Sequence, residues 1–154
     1  MTMLNIGSYS HGTLRSEDLA STLLEMLNSV DYDKTDSLVS ELSAIAENEG
    51  RDEEYDCEVI SDATDVLQEY APPFCYVGMN EGDGSDLGVW FDVHSFEQAC
   101  RDGEVLKIGD SSELEDMPKE DVAARNYIAV ITDHGNISLY RVHVTLGDEL
   151  FAIV

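Results

Sequence analysis

The sequence predicts an α+β fold, in which N-terminal acidic helices pack on a C-terminal, mainly antiparallel β-sheet. Apolar residues recur at helical spacing through the first half of the chain, and after Pro72 and Pro73 they follow the pattern of strands and tight turns. Runs of helices followed by runs of strands are typical of the α+β class. With 154 residues, of which 43% are hydrophobic, the chain fits one domain, 1–154, with a helical part at about 16–70 and a β-rich part at about 74–154.

Three helices are predicted in the helical part. The first runs from Ser16 to about Val30, with Ser16 as its N-cap and acidic residues at the positive end of the helix dipole. The second runs from about 35 to 48, and Gly50 stands where a left-handed C-terminal cap would fall. The third runs from about 52 to 70, where the two following prolines stop the helix.

The β-rich part opens with a predicted hairpin. Aromatic and β-branched runs at 74–79 and 87–93 flank a long, Gly-rich loop at 80–86. A short helix at 95–102 and a strand at 104–108 are expected to follow, because a helical pattern ends at a glycine before an apolar run.

The final third of the chain carries the clearest strand pattern. An irregular acidic loop is expected at 109–120. Strands at 126–132 and 137–144 then flank Asp133-His-Gly-Asn136, a sequence that favours a hairpin turn. A closing strand is expected at 150–154. Tight turns between these strands predict antiparallel pairing.

The charge of the chain is its most distinctive property. Asp and Glu number 33 and Lys and Arg number 8, which gives a formal net charge of −25. Solubility of a small domain needs a charge of magnitude only about 2–8. An anionic field repels phosphate groups and anionic lipid head groups. We therefore expect no direct binding to nucleic acid or to a membrane surface. The acidic residues are spread over both halves of the chain, 17 of them in residues 1–70.

The cysteines and histidines give no pattern typical of a metal site or of catalysis. Cys57, Cys75 and Cys100 are odd in number and lack CxxC spacing, so they predict buried thiols in the cytoplasm and no disulfide framework. The four histidines lack the helical spacing of a zinc pair. We expect no cofactor, no metal and no enzymatic activity, while a nucleophilic pair such as Cys75 or Cys100 with His94 stays open as an alternative.

Acidic residues recur along one side of the third predicted helix. Positions 54, 58, 62, 65 and 69 follow the spacing i, i+4, i+8, i+11 and i+15, which places their carboxylates on one face. Like charges at this spacing destabilise a helix by a few tenths of a kcal/mol per pair. The stripe therefore indicates an interaction surface, although a solvated face and adaptation to high salt remain open.

The predicted hairpin loop supplies further acids, and Trp90 follows it. Loop oxygens of this kind suit a hard cation, but the spacing lacks the EF-hand pattern. Trp90, the single tryptophan, is expected to be a core residue or an interface anchor. The expected partner-binding residues are Glu53, Glu54, Glu58, Asp62, Asp65, Glu69, Glu81, Asp83, Asp86 and Trp90.

Two stretches resemble segments of small acidic proteins of bacteriophages and mobile elements. One runs from Glu69 to Trp90, EYAPPFCYVGMNEGDGSDLGVW, and the other runs from Gly7 to Leu19, GSYSHGTLRSEDL. Accessory phage proteins of this size and charge are often inhibitors of host defence, including anti-CRISPR and anti-restriction proteins. The resemblance implies this context and assigns no activity to individual residues.

Charge and resemblance together predict a phage-type inhibitor of a host defence complex, either a CRISPR effector or a restriction enzyme. It would act as an acidic DNA mimic on the basic nucleic-acid site of that complex, in the cytoplasm of the host bacterium. Two alternatives stay open. One is an acidic regulatory protein that binds another basic protein, and the other is a small enzyme that depends on Cys and His. The oligomeric state is left open.

Overall fold

A computed structural model describes residues 2–48, 52–142 and 148–153 of the chain. Its elements are, in order, β1 (Gly7–Ser10), α1 (Ser16–Ser29), α2 (Ser37–Ala46), α3 (Glu53–Gln68), β2 (Cys75–Asn80), β3 (Asp83–Phe91), α4 (Val93–Arg101), β4 (Val105–Ile108), a 3-10 helix (Ser111–Asp116), α5 (Lys119–Ala123), β5 (Tyr127–Ile131), β6 (Ile137–Arg141) and β7 (Asp148–Ile153). Helices combined with mainly antiparallel strands confirm the predicted α+β class.

The chain divides into two compact units, Met1–Phe91 and Asp92–Val154. The first unit contains α1, α2 and α3 with a three-stranded sheet, and the second contains a four-stranded sheet with the shorter helices. The strands therefore form two sheets, whereas the sequence pattern predicted one sheet in the C-terminal part. The assignment of residues 1–154 to a single domain stays a prediction.

The three long helices of the first unit form where their apolar periodicity predicted them. Two of them begin at an aspartate that caps the helix: Asp36 accepts a hydrogen bond from the Leu38 amide (2.9 Å), and Asp52 accepts one from the Glu54 amide (2.9 Å). The predicted cap of α1 was wrong, because Arg15 occupies the N-cap position and Ser16 is the first helical residue. The predicted cap at position 50 lies outside the described residues.

The sheet of the first unit has the strand order β1-β3-β2 and is antiparallel throughout. Val77 pairs with Val89, and both side chains are buried. α1 packs against β1, and α3 packs against β2. Because side chains alternate across a strand, the valines face the core, and the neighbouring positions face away from it.

The hairpin of β2 and β3 is tighter than its sequence indicated. The long loop predicted at 80–86 is wrong in part: Asn80 pairs with Asp83, where β3 begins, so the turn itself contains only Glu81 and Gly82. The register then shifts, and residues 84–86 lie outside the pairing with β2. Asn80 Oδ1 accepts a hydrogen bond from the Gly82 amide (2.7 Å), an Asx-type contact that closes the turn directly after β2. Because aspartate and glycine are depleted in strands, the sequence pattern predicted a loop where β3 begins.

The sheet of the second unit has the order β4-β5-β6-β7. β4 and β5 are parallel, and the other two pairs are antiparallel. The connection from β4 to β5 was predicted to be irregular, but it contains the 3-10 helix and α5. Asp110 and Glu113 form a reciprocal capping box at the start of the 3-10 helix. These hydrogen bonds stabilise the helix, which contains no buried residue. The hairpin turn predicted after β5 is confirmed, with the Gly135 amide donating to the Thr132 carbonyl (2.8 Å).

Candidate acidic interaction surface

The acidic stripe predicted on the third helix lies on the solvent side of α3. We define the α3 stripe as the exposed residues Glu54, Glu58, Asp62, Asp65 and Glu69. They span about 22 Å along the helix and about 80° of its circumference at 1.5 Å and 100° per residue. Glu53, at the first position of α3, is exposed as well. All six acids are therefore available to a partner.

The opposite side of α3 fixes the orientation of the stripe. Val59, Ala63 and Leu67 are each at most 2% exposed and pack into the core of the first unit. Asp56 shares this side and is only 4% exposed, so it is an acid of α3 that does not belong to the stripe. Because the buried side is apolar apart from Asp56, a rotation of α3 that hides the stripe would expose the core.

The charge of the α3 stripe is not neutralised within the described part of the chain. No basic nitrogen of the described residues lies within 4.0 Å of a carboxylate of the stripe or of Glu53. Arg15, by contrast, pairs with Glu17 beside α1, where its Nε lies 3.1 Å from the carboxylate. With respect to the described residues, the stripe therefore presents an unpaired anionic face, and its field extends over about one Debye length of 8–10 Å at ordinary ionic strength.

The charge density of the stripe can be compared with that of nucleic acid. Five carboxylates over about 22 Å place one charge per about 5.5 Å of helix axis. One strand of B-DNA carries one charge per about 3.4 Å. α3 alone is therefore sparser than a DNA strand, so a mimic built on it needs the other acids of the first unit as well.

The three acids of the hairpin lie at or beside the β2–β3 turn. Glu81 is in the turn, and Asp83 and Asp86 lie on β3. Asp83 accepts hydrogen bonds from the hydroxyl (2.7 Å) and the amide (3.0 Å) of Ser85, and these bonds hold the pKa of Asp83 below its usual value. Glu81 and Asp83 are exposed, so both carboxylates face solvent.

Asp86 is bound to residues near the N-terminus. The Ser8 hydroxyl donates a hydrogen bond to its Oδ1. His11 Nδ1 lies 3.9 Å from Oδ2 of Asp86 and 3.9 Å from Oδ2 of Asp83. The Asp86 side chain is 16% exposed, whereas that of His11 is 73% exposed. These contacts could not be predicted from sequence, because β1 is only four residues long and was itself not predicted.

Trp90 is half-buried on β3, and the sheet itself holds its indole. The indole Nε1 donates a hydrogen bond of 2.9 Å to the Gly78 carbonyl. Its ring lies over Gly88, where an added Cβ would come within 2.7 Å of Cζ2. The expectation that Trp90 is a core residue or an interface anchor thus becomes more specific: the ring is fixed, half-buried and on the sheet face away from the valine core.

The ten residues expected to contact a partner therefore all lie in the first unit. Nine of them are acids that form two groups, and the tenth is Trp90. One group follows α3, and the other surrounds the β2–β3 turn. The structure adds Tyr76, which sits directly opposite Trp90 in the sheet. Aromatic cross-strand pairs are common in sheets, but this pair depends on the register shift between Met79 and Asn80, which the sequence pattern did not predict.

The described side chains give these observations on metal ligands and on the cysteines. Within the described ranges, no three His, Cys, Asp or Glu residues are grouped so that they could hold a metal ion. Cys75 is buried, and burial raises the pKa of the Cys100 thiol, which reduces its thiolate fraction. Cys57 is exposed and Cys100 is half-buried, so the expectation of three buried thiols holds for Cys75 and is wrong for the other two.

Comparisons with protein-family models, with curated proteins and with solved structures found no match to this chain. In the described part of the chain, no helix combines the length and the apolar character needed to cross a membrane.

Proposed function

We propose that this chain is a bacteriophage-type inhibitor that occupies the basic nucleic-acid site of a host defence complex, either a CRISPR effector or a restriction enzyme. It binds that site as an acidic protein in place of DNA and acts in the cytoplasm of the host bacterium. Inhibition is steric and competitive and involves no catalytic turnover. The resemblance of two sequence stretches to acidic phage proteins supports this context.

The observation that carries the proposal is the exposed α3 stripe, whose carboxylates have no basic partner among the described residues. Its like charges at i, i+3 and i+4 spacing destabilise the helix, and the structure shows no described base that offsets this cost. Proteins that bind DNA obtain much of their affinity from Lys and Arg that neutralise phosphates. A protein surface with aligned carboxylates satisfies the same basic groups.

The hairpin acids extend this surface. The hydrogen bonds from Ser85 keep Asp83 ionised to lower pH than an ordinary aspartate, and they also hold its carboxylate in one position. Charge attraction of this kind accelerates association and weakens as salt is added. Binding should therefore be fastest at low ionic strength and should slow as the salt concentration rises.

The test is a pull-down from bacterial lysate that contains CRISPR effector complexes and restriction enzymes, at low and moderate salt, followed by DNA competition. Each retained complex is mixed with labelled target DNA, and DNA release is measured as this protein is titrated. The proposal expects release that saturates and that excess unlabelled DNA reverses.

A ternary complex would contradict the mimic proposal. If a retained basic partner keeps its DNA while it holds this protein, the chain binds elsewhere on that partner and acts as a regulatory protein. If no basic protein is retained at low salt, the acidic surface does not serve to bind a basic partner.

A further inference from the structure

One face of the β1-β3-β2 sheet lies away from the buried valines of the first unit. We define the aromatic face as Tyr76, Gly78, Gly88 and Trp90, which alternate along β2 and β3 with the buried positions. Tyr76 is paired with Trp90, and Gly78 is paired with Gly88. Two half-buried aromatic rings thus stand beside two glycines that contribute no side chain.

The Trp90 indole is held in one position before any partner binds. Its Nε1 is engaged by the Gly78 carbonyl at 2.9 Å, and one side of the ring rests on the backbone at Gly88. Among the described residues, the cation–π contact found is that of Lys107 with Phe96, so no described lysine or arginine covers Trp90. A fixed ring loses little conformational freedom on binding, which favours its use as an anchor.

Asp86 lies two residues before Gly88 on β3, beside the point where the register with β2 shifts. Its side chain contacts that of Ser8, the residue that pairs with Gly88 on β1, so the Asp86 carboxylate borders the aromatic face. Its Oδ1 accepts a hydrogen bond from the Ser8 hydroxyl, which fixes the carboxylate at the end of the aromatic face. Its Oδ2 lies 3.9 Å from His11 Nδ1, beyond hydrogen-bonding distance, and is left to accept a further hydrogen bond.

We infer that the aromatic face, together with Asp86, binds an arginine side chain of the basic partner. The guanidinium stacks on the Trp90 ring and donates hydrogen bonds to the Asp86 carboxylate. This inference rests on the proposed function, because it assumes a basic partner, and the net charge of −25 gives the complementary sign.

Arginine fits this arrangement better than lysine for geometric reasons. The guanidinium is planar, it is weakly hydrated, and it stacks on aromatic rings while its edge donates several hydrogen bonds. The lysine ammonium is a compact and strongly hydrated charge, which interacts with the anionic field in general but not with the ring and the carboxylate together. The face should therefore distinguish two peptides of equal charge.

The experiment uses octa-arginine and octa-lysine as probes and the fluorescence of Trp90, which is the single tryptophan of the chain. Octa-arginine is expected to bind about two- to fivefold more tightly than octa-lysine and to change the Trp90 emission. Asp86→Asn should remove this preference. Glu58→Gln on the α3 stripe is the matched control, because it also removes one charge. It should lower the affinity for both peptides equally and leave the preference for octa-arginine intact.

Equal binding of the two peptides with unchanged Trp90 emission would overturn the inference while leaving the proposed function in place. Binding of neither peptide at low salt would count against both. A preference for octa-arginine that persists in Asp86→Asn would also overturn the inference, because the carboxylate would then contribute nothing to the selection.

Discussion

The side-chain amide of Gln68 occupies part of the outer edge of β2, where its Oε1 accepts a hydrogen bond of 2.9 Å from the backbone amide of Val77. Its Nε2 donates a second hydrogen bond, of 3.0 Å, to the carbonyl of Cys75. These are the two backbone groups that a neighbouring strand would otherwise bind. The last residue of α3 thus replaces a strand at this edge and ties the helix that carries the acidic stripe to the sheet.

Gln68→Ala should destabilise the protein by about 1–2 kcal/mol, because it leaves a part-buried strand amide and a carbonyl without their side-chain partners. Urea unfolding measures the change. Ser61→Ala, an exposed position on the same helix, is the control and should leave the unfolding midpoint nearly unchanged. Equal stability of the two variants would show that water replaces the Gln68 amide at no cost.

Gly88→Ala should be strongly destabilising, by about 2–3 kcal/mol or more, because the methyl group clashes with the Gly7 carbonyl oxygen and comes within 2.7 Å of the Trp90 ring. Gly84→Ala is a control in the same strand, since an added Cβ at that position meets nothing within 4 Å. Thermal unfolding followed by Trp90 fluorescence reports both stability and the environment of the ring. A Gly88→Ala variant as stable as Gly84→Ala would mean that the ring does not rest on this glycine.

Neutralising the α3 stripe should stabilise the folded protein at low salt. The variant replaces the five stripe acids by their amides, and relief of repulsion at a few tenths of a kcal/mol per neighbouring pair gives a gain of about 1 kcal/mol. The gain should shrink as NaCl is added, because salt screens exposed charges. Urea unfolding at low and high salt measures it. A loss of stability at low salt would show that the stripe makes favourable contacts within the chain.

The cap of α4 should contribute a stability that depends on pH. Asp92 accepts hydrogen bonds from the Ser95 hydroxyl (2.5 Å) and amide (3.1 Å), and these bonds lower its pKa from the usual 3.8. Because the folded-state pKa is lowered, the contribution is complete above the unfolded-state pKa and is lost as the pH falls through the folded-state value.

Asp92→Ala should therefore cost about 1 kcal/mol at neutral pH, the usual effect of losing an N-cap. The difference from the unsubstituted protein should close as the pH falls below about 3.8. Urea unfolding between pH 7 and pH 3 measures it. Glu97→Ala, an exposed acid in the same helix, is the control. A difference that stays constant with pH would exclude the carboxylate as the cap.

The long helices could be predicted because their buried stripes are regular. Leu23, Leu42 and Ala63 fall in apolar periods and are fully buried, so the opposite, acidic side of α3 had to be exposed. Local rules therefore predicted the α3 stripe correctly as an exposed surface. Its use by a partner stays a prediction.

The contacts that organise the hairpin could not be predicted, because they depend on register and on pairing across the sheet. The turn at Glu81 and Gly82 is set by the Asn80 side chain, and β1 contains only four residues and begins with a glycine. The positions of Ser8 and His11 beside Asp86 follow from β1 pairing with β3. Sequence periodicity carries no information about such pairs.

The most direct test of the central claim is DNA competition with two variants of equal net charge. The stripe variant carries Glu54→Gln, Glu58→Gln, Asp62→Asn, Asp65→Asn and Glu69→Gln. The control variant carries five changes at exposed acids outside the first unit: Glu97→Gln, Glu104→Gln, Glu115→Gln, Asp116→Asn and Glu120→Gln. Both are titrated against the basic complex retained in the pull-down with its labelled DNA.

If the α3 stripe occupies the DNA site, the stripe variant should lose most of its ability to release DNA, while the control variant should keep nearly all of it. Five lost contacts at a charged interface should raise the concentration needed for half-release at least tenfold, a change of about 1.4 kcal/mol. An equal loss of DNA release in the two variants would contradict a binding role of the α3 stripe, because the overall charge would then determine binding.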